Sequence, residues 1–153
     1  MNVLGISGTP RKDGNSEILL RYALHPFEKQ RWQVKHFRLS EMMIQPCRAC
    51  EEECKGLGNC IIDDDRPLEG KAGGAIVVGR GTCGGQTITI NAIYTWMLSC
   101  GVICVPGELN GVTAVASEPG DILKQENRLR QAEILGSNVL NVAKKLRSGT
   151  NCG

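Results

Sequence analysis

Four cysteines fall within 14 residues, spaced Cys47-x2-Cys50-x3-Cys54-x5-Cys60. Thiolates this close in sequence can converge on one centre, because each turn of a compact loop returns another sulfur to the same point. Three chemistries suit such a set: a four-iron, four-sulfur (4Fe–4S) cluster, a zinc site, or metal-free thiols. Structural zinc more often uses two separated CxxC knuckles, so the spacing favours iron and sulfur. The intervening Glu51-Glu52-Glu53 reads as a solvated helical turn.

A second constellation is Ser7-Gly8-Thr9-Pro10-Arg11-Lys12-Asp13-Gly14-Asn15-Ser16. It follows a short apolar run, Asn2–Ile6, and precedes a helical pattern. A helix start there offers free N–H groups and the positive end of the helix dipole, which suit a phosphate. Ser7, Thr9, Asn15 and Ser16 add short donors, and Arg11 adds charge. Neither common nucleotide-binding glycine fingerprint is present, and a hydroxyl-rich loop of this kind suits a mononucleotide such as FMN. The competing reading is a plain strand–helix turn with solvated side chains.

A third loop, Gly81-Thr82-Cys83-Gly84-Gly85-Gln86, allows close backbone approach to a planar ring. Gln86 and the loop N–H groups could bond the pyrimidine edge of a flavin, or the loop could simply cap the next helix. Cys83 reads as a spectator thiol, Cys100 and Cys104 as buried hydrophobes, and Cys152 as idle in a terminal tail. His25 and His36 show no ligand spacing.

These loops need strands and helices to position them. Apolar runs predict strands at about 2–6, 32–39, 74–79 and 102–105. The second of these still carries charges and reads as lying near a sheet edge. Helical spacing predicts a helix capped by Asn15 or Ser16 and limited by Pro26, another over about 87–99, and a long one capped by Asp121 and running to about Arg147. The stretches 40–73 and 109–120 show no strand pattern. Alternation of this kind makes an α/β protein with a doubly wound parallel sheet. Loops leaving strand C-termini then share one rim, where ligands bind.

The bulk numbers frame this reading. The chain has 153 residues, 41% hydrophobic and 22% charged, with a net charge of +2. That suits one domain over residues 1–153 with a cysteine-rich loop at 46–62. No basic excess points to nucleic acid, and no run of 18 apolar residues points to a membrane. The first residues lack an export pattern, so a reducing, cytoplasmic setting is expected, in which the eight cysteines would not be disulfides.

Three segments together, NVLGISGTPRKDGNSEILL, PCRACEEECKGLGNCIIDDD and GAIVVGRGTCGGQ, resemble the iron–sulfur flavoproteins of the flavodoxin-like NAD(P)H-dependent FMN reductase superfamily. The stretch GVTAVASEPGDIL (Gly111–Leu123) is similar to a late loop and helix start of the same family. The resemblance implies a shortened flavodoxin-like fold, FMN and a 4Fe–4S cluster. It implies electron transfer from a ferredoxin-type donor to an acceptor. The short sheet, with few strands to cover its apolar faces, predicts a homo-oligomer (dimer or tetramer). By position, Ser7, Thr9, Arg11, Asn15 and Ser16 would hold the FMN phosphate, Gly84, Gly85 and Gln86 would line the ring, and Cys47, Cys50, Cys54 and Cys60 would hold the cluster. Two departures stand out. The family spaces its second and third cysteines by two residues, and here three intervene. The family also carries a central strand and helix where this chain runs from Asp65 straight to Gly70. A cluster-free NAD(P)H-dependent FMN or quinone reductase, and a metal-binding module that has lost flavin, are the alternative readings.

Overall fold

The computed structural model describes residues 1–44, 68–82 and 85–149. The four clustered cysteines, Cys83, Gly84 and Cys152 lie outside them. Strand β1 (Asn2–Ser7) leads through the hydroxyl-rich loop to helix α1 (Asn15–Lys29) and strand β2 (Gln33–Arg38). The two strands pair in parallel, from Asn2 opposite Gln33 to Ser7 opposite Arg38. Strands β3 (Ala72–Gly73) and β4 (Ile76–Gly79) follow one path broken at Gly74-Ala75. After helix α2 (Gln86–Ser99), strand β5 (Ile103–Cys104) pairs in parallel with β3, and β6 (Val112–Val115) with β4. Helix α3 (Glu126–Gly149) closes the chain.

The parallel, doubly wound expectation holds, because glycine contacts put helices on both faces. A Cβ on Gly5 would strike Leu24 of α1, and one on Gly74 would strike Leu135 of α3. On the other face, a Cβ on Gly73 would meet Met97 of α2, and one on Gly111 would meet Ile90 of the same helix. The core fills the first side: Leu19, Ala23, Val112, Ala114, Ile122, Ala132 and Leu135 form one buried cluster.

Four expectations need correction. Residues 112–115 form a strand rather than a loop, because Val112 N–H donates to the Ala75 carbonyl at 3.1 Å and extends the β3–β4 path. Ala72–Gly73 likewise forms a short strand in the stretch expected to hold none. Pro26 does not limit α1, which continues to Lys29. The missing proline N–H costs up to about 3 kcal/mol in a helix interior, and burial of the last turn offsets it: Phe27 is buried and meets Trp32 edge-on at 5.3 Å. Asp121 does not cap the long helix. It starts a separate 3-10 turn, Asp121–Lys124, which ends where Gln125 leaves helical geometry and its Nε2 donates to the Val115 carbonyl at 2.7 Å.

The shortened sheet leaves a mark on the surface. No hydrogen-bonded strand joins β1 to β4 among the described residues. Leu4, Ile6 and Phe37, on the face of β1–β2 away from α1, are 47%, 46% and 42% exposed. Helix α2 packs mainly on β4, β5 and β6, and α1 covers the opposite face of β1–β2.

The tightest helix contact is between α1 and α3. A Cβ on Gly136 would overlap the carbonyl of Ala23. Gly136→Ala must push the two helices apart, and overpacking of this kind costs about 1–3 kcal/mol. Urea unfolding should show the midpoint fall accordingly, and an unchanged midpoint would mean that the helices separate without cost.

Candidate anion site at the strand rim

Hydrogen bonds between loops put the C-terminal strand ends on one rim. Asn15, at the start of α1, donates through Nδ2 to the Glu118 carbonyl at 2.8 Å. Its Oδ1 accepts from Ile122 N–H at 3.3 Å. Ser117 Oγ donates to the Arg80 carbonyl at 3.2 Å, joining the loops after β6 and β4. The predicted phosphate loop and the predicted ring loop therefore share one edge of the fold.

The phosphate loop is held from below. Ser7 ends β1 with its hydroxyl buried and without a hydrogen-bond partner. Such a buried polar atom is uncommon in a folded protein. It lies near enough to the Glu17 carboxylate to help keep it ionised, without a hydrogen bond of normal geometry between them. Glu17, in the first turn of α1, is wholly buried. Its Oε1 accepts from Arg38 Nε at 2.7 Å, and its Oε2 accepts from Arg38 Nη2 at 3.2 Å and Asp13 N–H at 2.9 Å. The Arg38 guanidinium, and then the Asp13 N–H, hold the Glu17 pKa down to about 2 against the opposing effect of burial. Asp13 takes a φ of +55°, a left-handed conformation that Asp tolerates better than most residues. Its carboxylate pairs with Arg21.

The other predicted residues fall out as follows. The Thr9 hydroxyl accepts from Arg11 N–H at 3.3 Å. Arg11 is exposed, and its guanidinium pairs with no carboxylate among the described residues. Ser16 is half-buried in the first turn of α1. Neither Asn15 nor Ser16 caps α1, whose N-cap is Gly14. The Asn15 side chain is committed to the late loop instead. Gly85 is the exposed N-cap of α2. Gln86 is buried and donates to the Gly81 carbonyl at 2.8 Å, so its carboxamide shapes the ring loop from within.

Sequence reasoning missed Glu17 and Arg38. The signal was faint: an acidic residue three positions after the N-cap, which commonly bonds back to loop N–H groups. Arg38 read as an edge charge, yet it turns inward, with its side chain only 19% exposed. Cys104 and Cys100 are partly buried free thiols, and burial pushes the Cys104 thiol up. His25 Nδ1 lies 3.3 Å from Glu133, away from the rim loops. His36 Nε2 is buried without a partner among the described residues. Among those residues no three His, Cys, Asp or Glu side chains gather as a metal site, and no helix is long and apolar enough to cross a membrane. An open polar groove of about 390 Å³, lined by Glu108, Asn127, Arg128, Arg130 and Gln131, involves none of the predicted residues.

Residues 1–65 match the NADPH-dependent FMN reductase family. An iron–sulfur flavoprotein of Methanocaldococcus jannaschii is 30% identical over 193 aligned positions, covering 96% of this chain and 100% of the relative. Since the chain has 153 residues, at least 40 of those 193 positions have no residue here. An iron–sulfur flavoprotein of Methanosarcina thermophila is 27% identical, covering 69% of this chain and 77% of its own. Among solved structures, a flavone reductase superposes with a TM-score of 0.59 at 14% identity over 93% of this chain. This chain spans 63% of that reductase, and the likeness shows a shared flavodoxin-like fold.

The Glu17 pKa sets a pH signature. A carboxyl held at about 2 against an ordinary 4.5 stabilises the fold fully above pH 4.5 and progressively less as pH falls toward 2. Glu17→Gln removes that dependence. Its cost relative to the parent chain should shrink by about 1 kcal/mol between pH 6 and pH 3.5. Urea unfolding at both pH values checks this, and a constant gap would exclude an ionised Glu17 in the fold.

Proposed function

Because this chain belongs to the iron–sulfur flavoprotein family, we propose that it passes electrons from a ferredoxin-type donor to an acceptor through FMN and a 4Fe–4S cluster. The observation that carries the flavin half is the orphaned Ser7 hydroxyl, buried at the end of β1 beside the first turn of α1. A phosphate oxygen would satisfy it. The first N–H groups of α1 have no intrahelical acceptor, and the helix dipole favours an anion there. Ser16 lies in that turn, and Thr9 and Arg11 in the loop that leads into it. Asn15 would contribute its backbone N–H, since its side chain holds the late loop. Gly84 and Gly85 would face the ring, with Gln86 stiffening the loop through Gly81.

The cluster half rests on the donor set. Cys47, Cys50, Cys54 and Cys60 supply four soft ligands, the number a cubane requires. Bound FMN would supply one- and two-electron chemistry, and the cluster one-electron exchange. This chain's own residues bind and orient; none is asked to move a proton.

The uncovered Leu4, Ile6 and Phe37 face supports self-association into a dimer or tetramer, since a contiguous exposed apolar patch commonly marks an interface. Sedimentation should give a multiple of the chain mass, and a monomer at every concentration would overturn that part.

Protein purified without oxygen should carry one FMN and roughly four irons per chain. FMN without iron, together with rapid NADPH oxidation, would instead support a cluster-free reductase. A colourless protein with stoichiometric zinc would support a metal-binding module. Arg11→Ala should weaken FMN binding by about tenfold, the size of one charge-assisted hydrogen bond. Equal flavin retention would remove Arg11 from the site.

A further inference from the structure

The phosphate site has an anion beneath it already. Glu17 is a fully buried, ionised carboxylate in the same helix turn that would receive the FMN phosphate. Two anions at one helix end repel, and the repulsion is strong where water is excluded. A bare carboxylate there would work against a phosphate dianion.

The structure contains an answer to that conflict. Arg38 ends β2 directly opposite Ser7 in the strand register. Its guanidinium meets Glu17 through both Nε and Nη2, a forked contact that a lysine cannot reproduce. It also lies 3.9 Å from Asp13 and 3.3 Å from Glu41. Glu17 in turn holds the Asp13 N–H at 2.9 Å, with Asp13 in its left-handed conformation. One pair thus fixes the loop shape and cancels its own charge.

We propose that Glu17 and Arg38 are positioning residues for a phosphate monoester dianion at the α1 N-terminus: Glu17 anchors the loop, and Arg38 neutralises Glu17 so that the dianion can enter. This rests on the reading that the rim holds the FMN phosphate. It extends that reading to two residues that need not touch the ligand. The chain leaves Arg38 through the turn Leu39–Glu41, so the pair also ties the phosphate loop to the segment leading to the clustered cysteines.

FMN and riboflavin, which differ by the phosphate, separate the possibilities. Each is titrated into the full chain stripped of flavin, and quenching of flavin fluorescence is followed. Arg38→Met should weaken FMN at least tenfold and leave riboflavin within twofold. The double variant Glu17→Gln with Arg38→Met should return FMN to within threefold of the parent. Its glutamine still accepts the Asp13 N–H but carries no charge. Arg38→Lys should fall between. Equal weakening of FMN and riboflavin, or no recovery in the double variant, would make the pair purely structural and overturn the proposal. If Arg38→Met does not fold, Arg38→Lys takes its place: FMN weakened more than riboflavin, and restored in the double variant, supports the proposal, and any other pattern overturns it. A parent chain that binds FMN and riboflavin equally would overturn the phosphate reading itself, and this proposal with it. A parent that prefers FMN beside an unaffected Arg38→Met would overturn only the proposal.

Discussion

A carboxylate shut away from water, with a loop N–H and an arginine fork as its partners, organises the edge of the fold where β1 meets α1. Glu17 joins three pieces of chain that are separate in sequence: the hydroxyl-rich loop through Asp13, the first turn of α1, and the end of β2 through Arg38. An unpaired buried charge costs several kcal/mol, so the contacts are strongly coupled: losing one leaves the others unfavourable. The loop after β1 is held in a single shape for this reason. The buried Ser7 hydroxyl lies beside that carboxylate, at the end of β1.

Packing brings the remaining loops to the same edge. Helices α1 and α3 approach so closely that only glycine fits at 136, and their shared core holds β4 and β6 beneath them. The late loop is then near enough for Asn15 to bond it at both Glu118 and Ile122. The loop after β4 is tied in turn through Ser117 and Arg80. Electron-transfer cofactors must sit close together, and one rim built from several tethered loops is a suitable framework for that.

The shortened sheet sets the other constraint. At least 40 aligned positions of the Methanocaldococcus relative have no residue here, and the FMN reductase match ends at residue 65. Consistent with a lost central strand, β1–β2 and β4–β6 share no ladder among the described residues. What holds the halves together is α1, which packs on β1, β2 and β4 as well as on α3. The cost is an apolar sheet face, Leu4, Ile6 and Phe37, left open to solvent.

Local pattern was enough for the α/β alternation, the parallel strands and the hydroxyl-rich turn between the first strand and the first helix. Apolar runs, glycine-rich turns and cysteine spacing are properties of neighbouring residues, so the chain displays them directly. Tertiary structure decided the rest. Residues 112–115 became a strand because β4 lies alongside them, and Pro26 stayed inside α1 because burial of Phe27 outweighs a lost hydrogen bond. Arg38 turned inward to a carboxylate 21 positions earlier, and Asn15 spent its side chain on a backbone 103 and 107 positions away. Partners so distant leave no periodicity in the sequence. Only folding lowers their separation to hydrogen-bond length and removes the water that would otherwise satisfy each group alone.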